Sequence, residues 1–131
     1  MIRGSCHCGK VTVAVESAPE WVASCNCSLC RRTGVLMAYY PVDMVTISGE
    51  TMPYLTGDKW IEIRHCPTCA CLTHWEPAAD IEDRGLSADD FASLTNRRGV
   101  NARLLDGFAV TEEGPTFDGR PLDVRFHDNA G

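Results

Sequence analysis

Apolar and polar residues alternate over Val11-Thr12-Val13-Ala14-Val15-Glu16, a pattern that predicts a half-buried strand. Leu36 to Val42 predicts a second strand, ended at Pro41, which has no N–H to donate to a ladder. Met44-Val45-Thr46-Ile47-Ser48 is a third, closed by a turn at Gly49-Glu50. Met52 to Thr56 continues the meander to another turn at Gly57-Asp58. The most regular run is Lys59 to Cys66, with Trp60, Glu62 and Arg64 on one face and Ile61, Ile63 and His65 on the other. Leu72-Thr73-His74-Trp75, beyond a Pro67-Thr68 tip, predicts its hairpin partner. Val100 to Leu105 and Leu122 to Phe126 read as late strands. The one good helix signal is Ser87 to Leu94, where Ser87 is an N-cap and Asp89 and Asp90 stand in the first turn. The pattern predicts a mainly β chain with one short helix, packing two small sheets.

At 131 residues the chain has the length of a single domain, residues 1–131. Aromatic residues are only 8% of it, so the core is small and needs support. That support is visible as eight cysteines, all within residues 1–71. The formal charge of −6 argues against a general nucleic-acid binder. No apolar run approaches the length of a membrane helix, and Met1 to Ser5 contains no apolar stretch of the secretory kind. A cytoplasmic location is therefore expected, where thiols stay reduced and clustered cysteines bind metal or react.

The cysteines fall into Cys-x-Cys at Cys6 and Cys8, Cys-x-Cys-x-x-Cys at Cys25, Cys27 and Cys30, and Cys-x-x-Cys-x-Cys at Cys66, Cys69 and Cys71. A turn carrying Cys-x-x-Cys points two thiolates at one ion, and zinc takes four such ligands in a tetrahedron. Eight thiolates could fill two closed sites. Alternatively, Cys6 and Cys8 join Cys66 and Cys69, leaving Cys25, Cys27 and Cys30 as a three-ligand set with a coordination position open to a substrate. Cys71 either closes that position or lies on the other side of its strand. Structural staples, an open catalytic zinc, a redox dithiol and an iron–sulfur cluster are the readings to be separated.

Gly4-Ser5-Cys6-His7-Cys8-Gly9, Cys25-Asn26-Cys27-Ser28-Leu29-Cys30-Arg31-Arg32-Thr33-Gly34 and Cys66-Pro67-Thr68-Cys69 together resemble the glutathione-dependent formaldehyde-activating enzyme family, whose domain is shared with centromere protein V. Val100 to Asp106 resembles a recurrent segment of short bacterial members, so the likeness covers roughly residues 4–76 and 98–127. The resemblance implies an Mss4-like fold, a β-tent of small sheets around zinc. It also implies two ions: a structural zinc held by Cys6, Cys8, Cys66 and Cys69, and a catalytic zinc held by Cys25, Cys27 and Cys30. The implied activity is a carbon–sulfur lyase acting on a thiol–aldehyde adduct such as S-hydroxymethylglutathione. The implied partner is thus a small-molecule thiol or its adduct, with no nucleic acid and no membrane. A non-catalytic, zinc-stapled module for a small thiol or a protein is the alternative. The chain is shorter than the founding enzyme type, has Ala70 where the family usually has glycine, and adds Cys71.

Other polar groups are weaker candidates. Arg31 and Arg32 either offset the charge of a three-thiolate zinc and meet a substrate carboxylate, or are a solvated pair. His65 and His74 are possible bases near the second site or packed strand residues, His7 is expected to point away from its flanking cysteines, and His127 lies in a tail with no expected role. Trp21, Trp60 and Trp75 read as core, with Trp75 alternatively walling a pocket. Asp106 is expected to pair with Arg103 or cap a turn.

Overall fold

The computed structural model describes residues 1–57 and 59–128. Three antiparallel or mixed sheets organise it. The first contains β1 (Ile2–Ser5), β2 (Thr12–Val15) and β5 (Val45–Ser48) in the order β1-β2-β5. β2 is the middle strand; Val11, Val13 and Val15 are buried on one face, while Thr12 and Glu16 are exposed on the other, where Ala14 alone is covered.

The second sheet is the frame of the molecule. It comprises β3 (Trp21–Cys25), β4 (Met37–Pro41), β6 (Met52–Leu55), β7 (Ile61–His65), β8 (Leu72–Pro77), β9 (Arg97–Asn101) and β13 (Asp123–His127). Their spatial order is β13-β3-β4-β9-β8-β7-β6. β7 and β8 form the expected hairpin, with Ile63 opposite Trp75 and an irregularity between Arg64 and His65. Ile63 is buried, while Glu62 and Arg64 on the other face form a 2.8 Å ion pair. β13 lies parallel to β3, in a register that sets His127 beside Cys25.

The third sheet, β10 (Phe108–Thr111), β11 (Gly114–Phe117) and β12 (Arg120–Pro121), was not legible as strands. It is largely exposed, so little apolar alternation marks it, although Phe117 is buried. A main core of Val13, Val15, Val22, Val100 and Phe117 joins the sheets. The first sheet closes on the chain after β9 where Gly4 bridges Leu105; a methyl at Gly4 would collide with the Leu104 carbonyl. A second core, Ala23, Val35, Met37, Ile63 and Trp75, packs on the large sheet.

The expected helix forms over Ala88–Thr95 (called α2 below), and the Ser87 hydroxyl accepts the Asp90 N–H at 3.1 Å. A further short helix, α1 (Ser28–Thr33), interrupts the second cysteine motif. The late strand expected through Leu105 stops at Asn101. There the Asn101 side chain accepts the Arg103 N–H at 3.2 Å and turns the chain into a 3-10 turn over Ala102–Leu104. The second half of the turn expected at Gly57-Asp58 lies outside the described residues, as do residues 129–131 of the tail.

Candidate metal centre

Two cysteine clusters form at opposite kinds of place. Cys6 and Cys8 sit on the connection from β1 to β2, which turns at Gly9 with φ +82°. Cys66 and Cys69 sit on the tip between β7 and β8, where the Cys66 carbonyl accepts the Ala70 N–H at 2.9 Å. The four sulfurs lie within 4.8 Å of one another, with Cys6 to Cys8 at 3.7 Å and Cys8 to Cys66 at 3.6 Å. A tetrahedral zinc with Zn–S of about 2.3 Å has S–S edges of about 3.8 Å, whereas a disulfide is about 2.05 Å. All eight cysteines are free thiols.

Backbone N–H groups already point at these sulfurs. Val11 donates to Cys6 Sγ at 3.3 Å and Thr68 to Cys66 Sγ at 3.4 Å. The N–H groups of Cys71 and Cys8 hold the Cys69 thiol down at about 5. On Cys8 the Lys10 N–H pulls downward, but desolvation and the thiols of Cys66, Cys6 and Cys69 raise it to about 11. Packed thiols resist joint ionisation unless a cation compensates them, so the donor set fits a thiolate-bound metal.

The second cluster comes from one short stretch of chain. Cys25 ends β3, Cys27 is the N-cap of α1, and Cys30 lies in the helix. Their sulfurs also lie within 4.8 Å of one another. The Cys27 N–H donates to Cys25 Sγ at 3.4 Å, and the Cys30 N–H to Cys27 Sγ at 3.3 Å. Burial works to raise the Cys27 thiol, yet the N–H groups of Cys30 and Leu29 and the neighbouring thiols leave it below the ordinary value. Burial, then the proximity of Cys27, pushes Cys30 up. Gly34 closes the helix in the left-handed region, φ +72°, where its N–H returns to the Cys30 carbonyl.

This cluster borders two cavities. One, of about 760 Å³, is lined by all three cysteines together with Tyr39, Tyr54, Ile63 and Trp75. The other, of about 690 Å³, lies against Cys25 and Cys30 and carries Arg31 and Arg103. Trp75 thus packs in the core and also walls a pocket. Its indole N–H hydrogen-bonds the Tyr39 hydroxyl, whose pKa is raised chiefly by burial. Gly99 permits this: it pairs with Tyr39 on one side and Trp75 on the other, and a methyl there would collide with the indole.

Cys71 joins neither cluster. Its sulfur accepts the His7 N–H and lies by Cys69 and Cys6, on the side of the first cluster. His74 is buried with both ring nitrogens engaged, Nδ1 with Thr73 Oγ1 at 2.9 Å and Nε2 with Glu76 Oε1 at 3.1 Å. Neither it nor His65 lines a cavity beside Cys25, Cys27 and Cys30. His127, expected to have no role, lines both of those cavities and stacks on Tyr39 with centroids 6.4 Å apart. Only its parallel pairing with β3 brings it there. Arg32 donates to the Ser28 carbonyl at 3.1 Å, and Arg31 faces the second cavity. Arg103 donates to the Gly34 carbonyl at 3.0 Å, and among the described residues no ion pair joins it to Asp106. Trp21 packs on Tyr39 and under Arg125, whose guanidinium carbon is 4.0 Å from the ring centroid. Trp60 is half-buried.

Residues 1–99 match the family model described as glutathione-dependent formaldehyde-activating enzyme. A crystal structure of a Rhodobacter sphaeroides protein superposes with a TM-score of 0.65 at 24% identity, covering 94% of this chain and 99% of that one, and so shares the fold. U3 small nucleolar RNA-associated protein 5 of Saccharomyces cerevisiae is 31% identical over 80 residues, which is 59% of this chain. The match spans only 12% of that protein's length.

Proposed function

The chain belongs to the glutathione-dependent formaldehyde-activating enzyme family, and from that premise we propose that it is a zinc-dependent carbon–sulfur lyase handling a thiol–aldehyde adduct such as S-hydroxymethylglutathione. The observation that carries the reading is the three-thiol set of Cys25, Cys27 and Cys30 facing a cavity, with Cys71 directed to the other cluster. In this reading Cys6, Cys8, Cys66 and Cys69 hold a structural ion and Cys25, Cys27 and Cys30 hold the catalytic one.

Zinc bound by three thiolates would supply Lewis acidity and stabilise a substrate thiolate. The chain's own residues do the rest. α1 fixes Cys27 and Cys30 within its first turn, and the N–H groups directed at Cys25 and Cys27 orient both sulfurs. Trp75, Tyr39 and Ile63 form an apolar wall of the cavity beside the sulfurs. Cleavage breaks the carbon–sulfur bond of the hydroxymethyl thioether. Its hydroxyl proton passes to the departing sulfur and a carbonyl forms, so thiol and aldehyde are released with no redox partner. Formation is the reverse.

Cys27→Ser tests this. The variant is expected to fold, to lose one of two equivalents of zinc, and to lose catalysed adduct formation from thiol and formaldehyde, followed by NMR. A wild-type protein carrying both ions that fails to exceed the buffer rate would overturn the lyase reading. Thiol binding without turnover would identify the binding-module alternative instead.

A further inference from the structure

We infer that the adduct taken by this site carries an aromatic or branched apolar body, in preference to the charged tripeptide of glutathione. The inference rests on the lyase reading and names its substrate class. The cavity facing Cys25, Cys27 and Cys30 is walled by Tyr39, Tyr54, Ile61, Ile63 and Trp75. Among its described lining residues there is no Lys, Arg, Asp or Glu.

Glutathione carries two carboxylates and an ammonium group. Placed in this cavity, none of the three meets a Lys, Arg, Asp or Glu side chain among the described lining residues, so none gains an ion pair there. A zinc held by three thiolates has a net negative charge, which further opposes carboxylates. The nearby cations lie outside this cavity's lining. Arg97 lies over the Tyr39 ring, 5.0 Å from its centroid, and does not line the cavity. Arg31 and Arg103 line the adjoining cavity, which shares Cys25, Cys30, Val35 and His127 with this one but not Tyr39, Tyr54 or Trp75. An aromatic ring, by contrast, finds the faces and edges of Tyr39 and Trp75, whose centroids are 6.3 Å apart. Tyr54, 59% exposed on the edge strand β6, has apolar surface left to bury at the same cavity.

The test uses the full chain with cobalt(II) in place of zinc, so that a thiol entering the open position is read from the cobalt absorption spectrum, independently of turnover. 2-Phenylethanethiol and glutathione are titrated in parallel, with Cys27→Ser as the control for binding elsewhere. The aromatic thiol is expected to bind about tenfold more tightly, the order of effect that burying part of one ring supplies. Tyr54→Ser, at an exposed position, is expected to weaken the aromatic thiol several-fold and glutathione by much less. Glutathione binding as tightly as the aromatic thiol, or equal losses of both in Tyr54→Ser, would overturn the inference while leaving the lyase reading intact. If neither thiol perturbs the cobalt spectrum, the open site and the lyase reading fail together.

Discussion

The two cysteine clusters use the same side chain to opposite ends. The first draws Cys6 and Cys8 from one strand connection and Cys66 and Cys69 from another, far along the chain. An ion there closes a long loop and ties the first sheet to the tip of the β7–β8 hairpin. The second draws Cys25, Cys27 and Cys30 from six consecutive residues at the start of one short helix. An ion there closes almost no loop, and the cluster opens on a cavity where the first packs against Val11 and Ile47. On the proposed reading, loop closure would make the first set a device for folding, and local preorganisation beside a cavity would make the second a device for chemistry.

The largest effect that can break this contrast is Cys66→Ala. Cys66 is fully buried, and its loss removes a ligand from the set that closes the long loop. Structural zinc contributes on the order of 10 kcal/mol or more of folding free energy in small domains. The variant is expected to be unfolded or to lose its near-UV circular dichroism, with neither equivalent of zinc retained. A folded Cys66→Ala chain that still holds one zinc would mean that the first cluster is not the staple.

The next test removes metal instead of ligand. Titrating the zinc-loaded chain with a chelator is expected to release the ion at Cys25, Cys27 and Cys30 first, because it has three protein ligands and a cavity beside it. The far-UV spectrum should stay constant through that first equivalent and change only with the second. A spectrum that changes with the first equivalent would reverse the assignment of roles.

The contrast was only half legible in the sequence, for a physical reason. Cys-x-Cys and Cys-x-x-Cys are local, so both three-residue and four-residue ligand sets could be written down from spacing. Their pairing depends on where the strand connections meet, which spacing does not encode. The strands with clear alternation, β2 and β7, were readable, as was the Ser87-capped helix. α1 was missed because a cysteine caps it and its residues, Ser28 to Thr33, show no apolar period and none buried. His127 was missed because it reaches Cys25 through a parallel pairing that spans most of the chain. The aromatic wall was half seen: Trp75 was readable as a large apolar body, but Gly99, which lets it approach Tyr39, is marked only by what it lacks.

Gly99 provides the next, smaller test, confined to the second cluster. Gly99→Ala adds a methyl against the Trp75 indole in a filled region of the second core. Overpacking of this kind costs about 1–3 kcal/mol. The denaturation midpoint should fall by that amount, tryptophan emission should shift as the indole moves, and zinc content should remain two. Unchanged emission would show that Trp75 has somewhere else to go and that the wall is not held by this packing.

The smallest expected effect belongs to the first cluster and has the opposite sign. Ala70 follows Cys69 with φ +67°, in the left-handed region. An L-residue with a β-carbon is strained there by about 1–2 kcal/mol. Glycine would relieve that strain but would also make the unfolded chain more disordered, at a cost of about 0.4–1 kcal/mol. Ala70→Gly should therefore stabilise the chain by about 1 kcal/mol or less. Because the turn holds Cys66 and Cys69 in place, the chelator concentration that strips the first cluster should rise slightly, while the one that strips the second should not move. A shift in the second alone would mean that the two clusters are coupled through the sheet, and that loop closure and cavity chemistry do not divide between them as cleanly as their geometry implies.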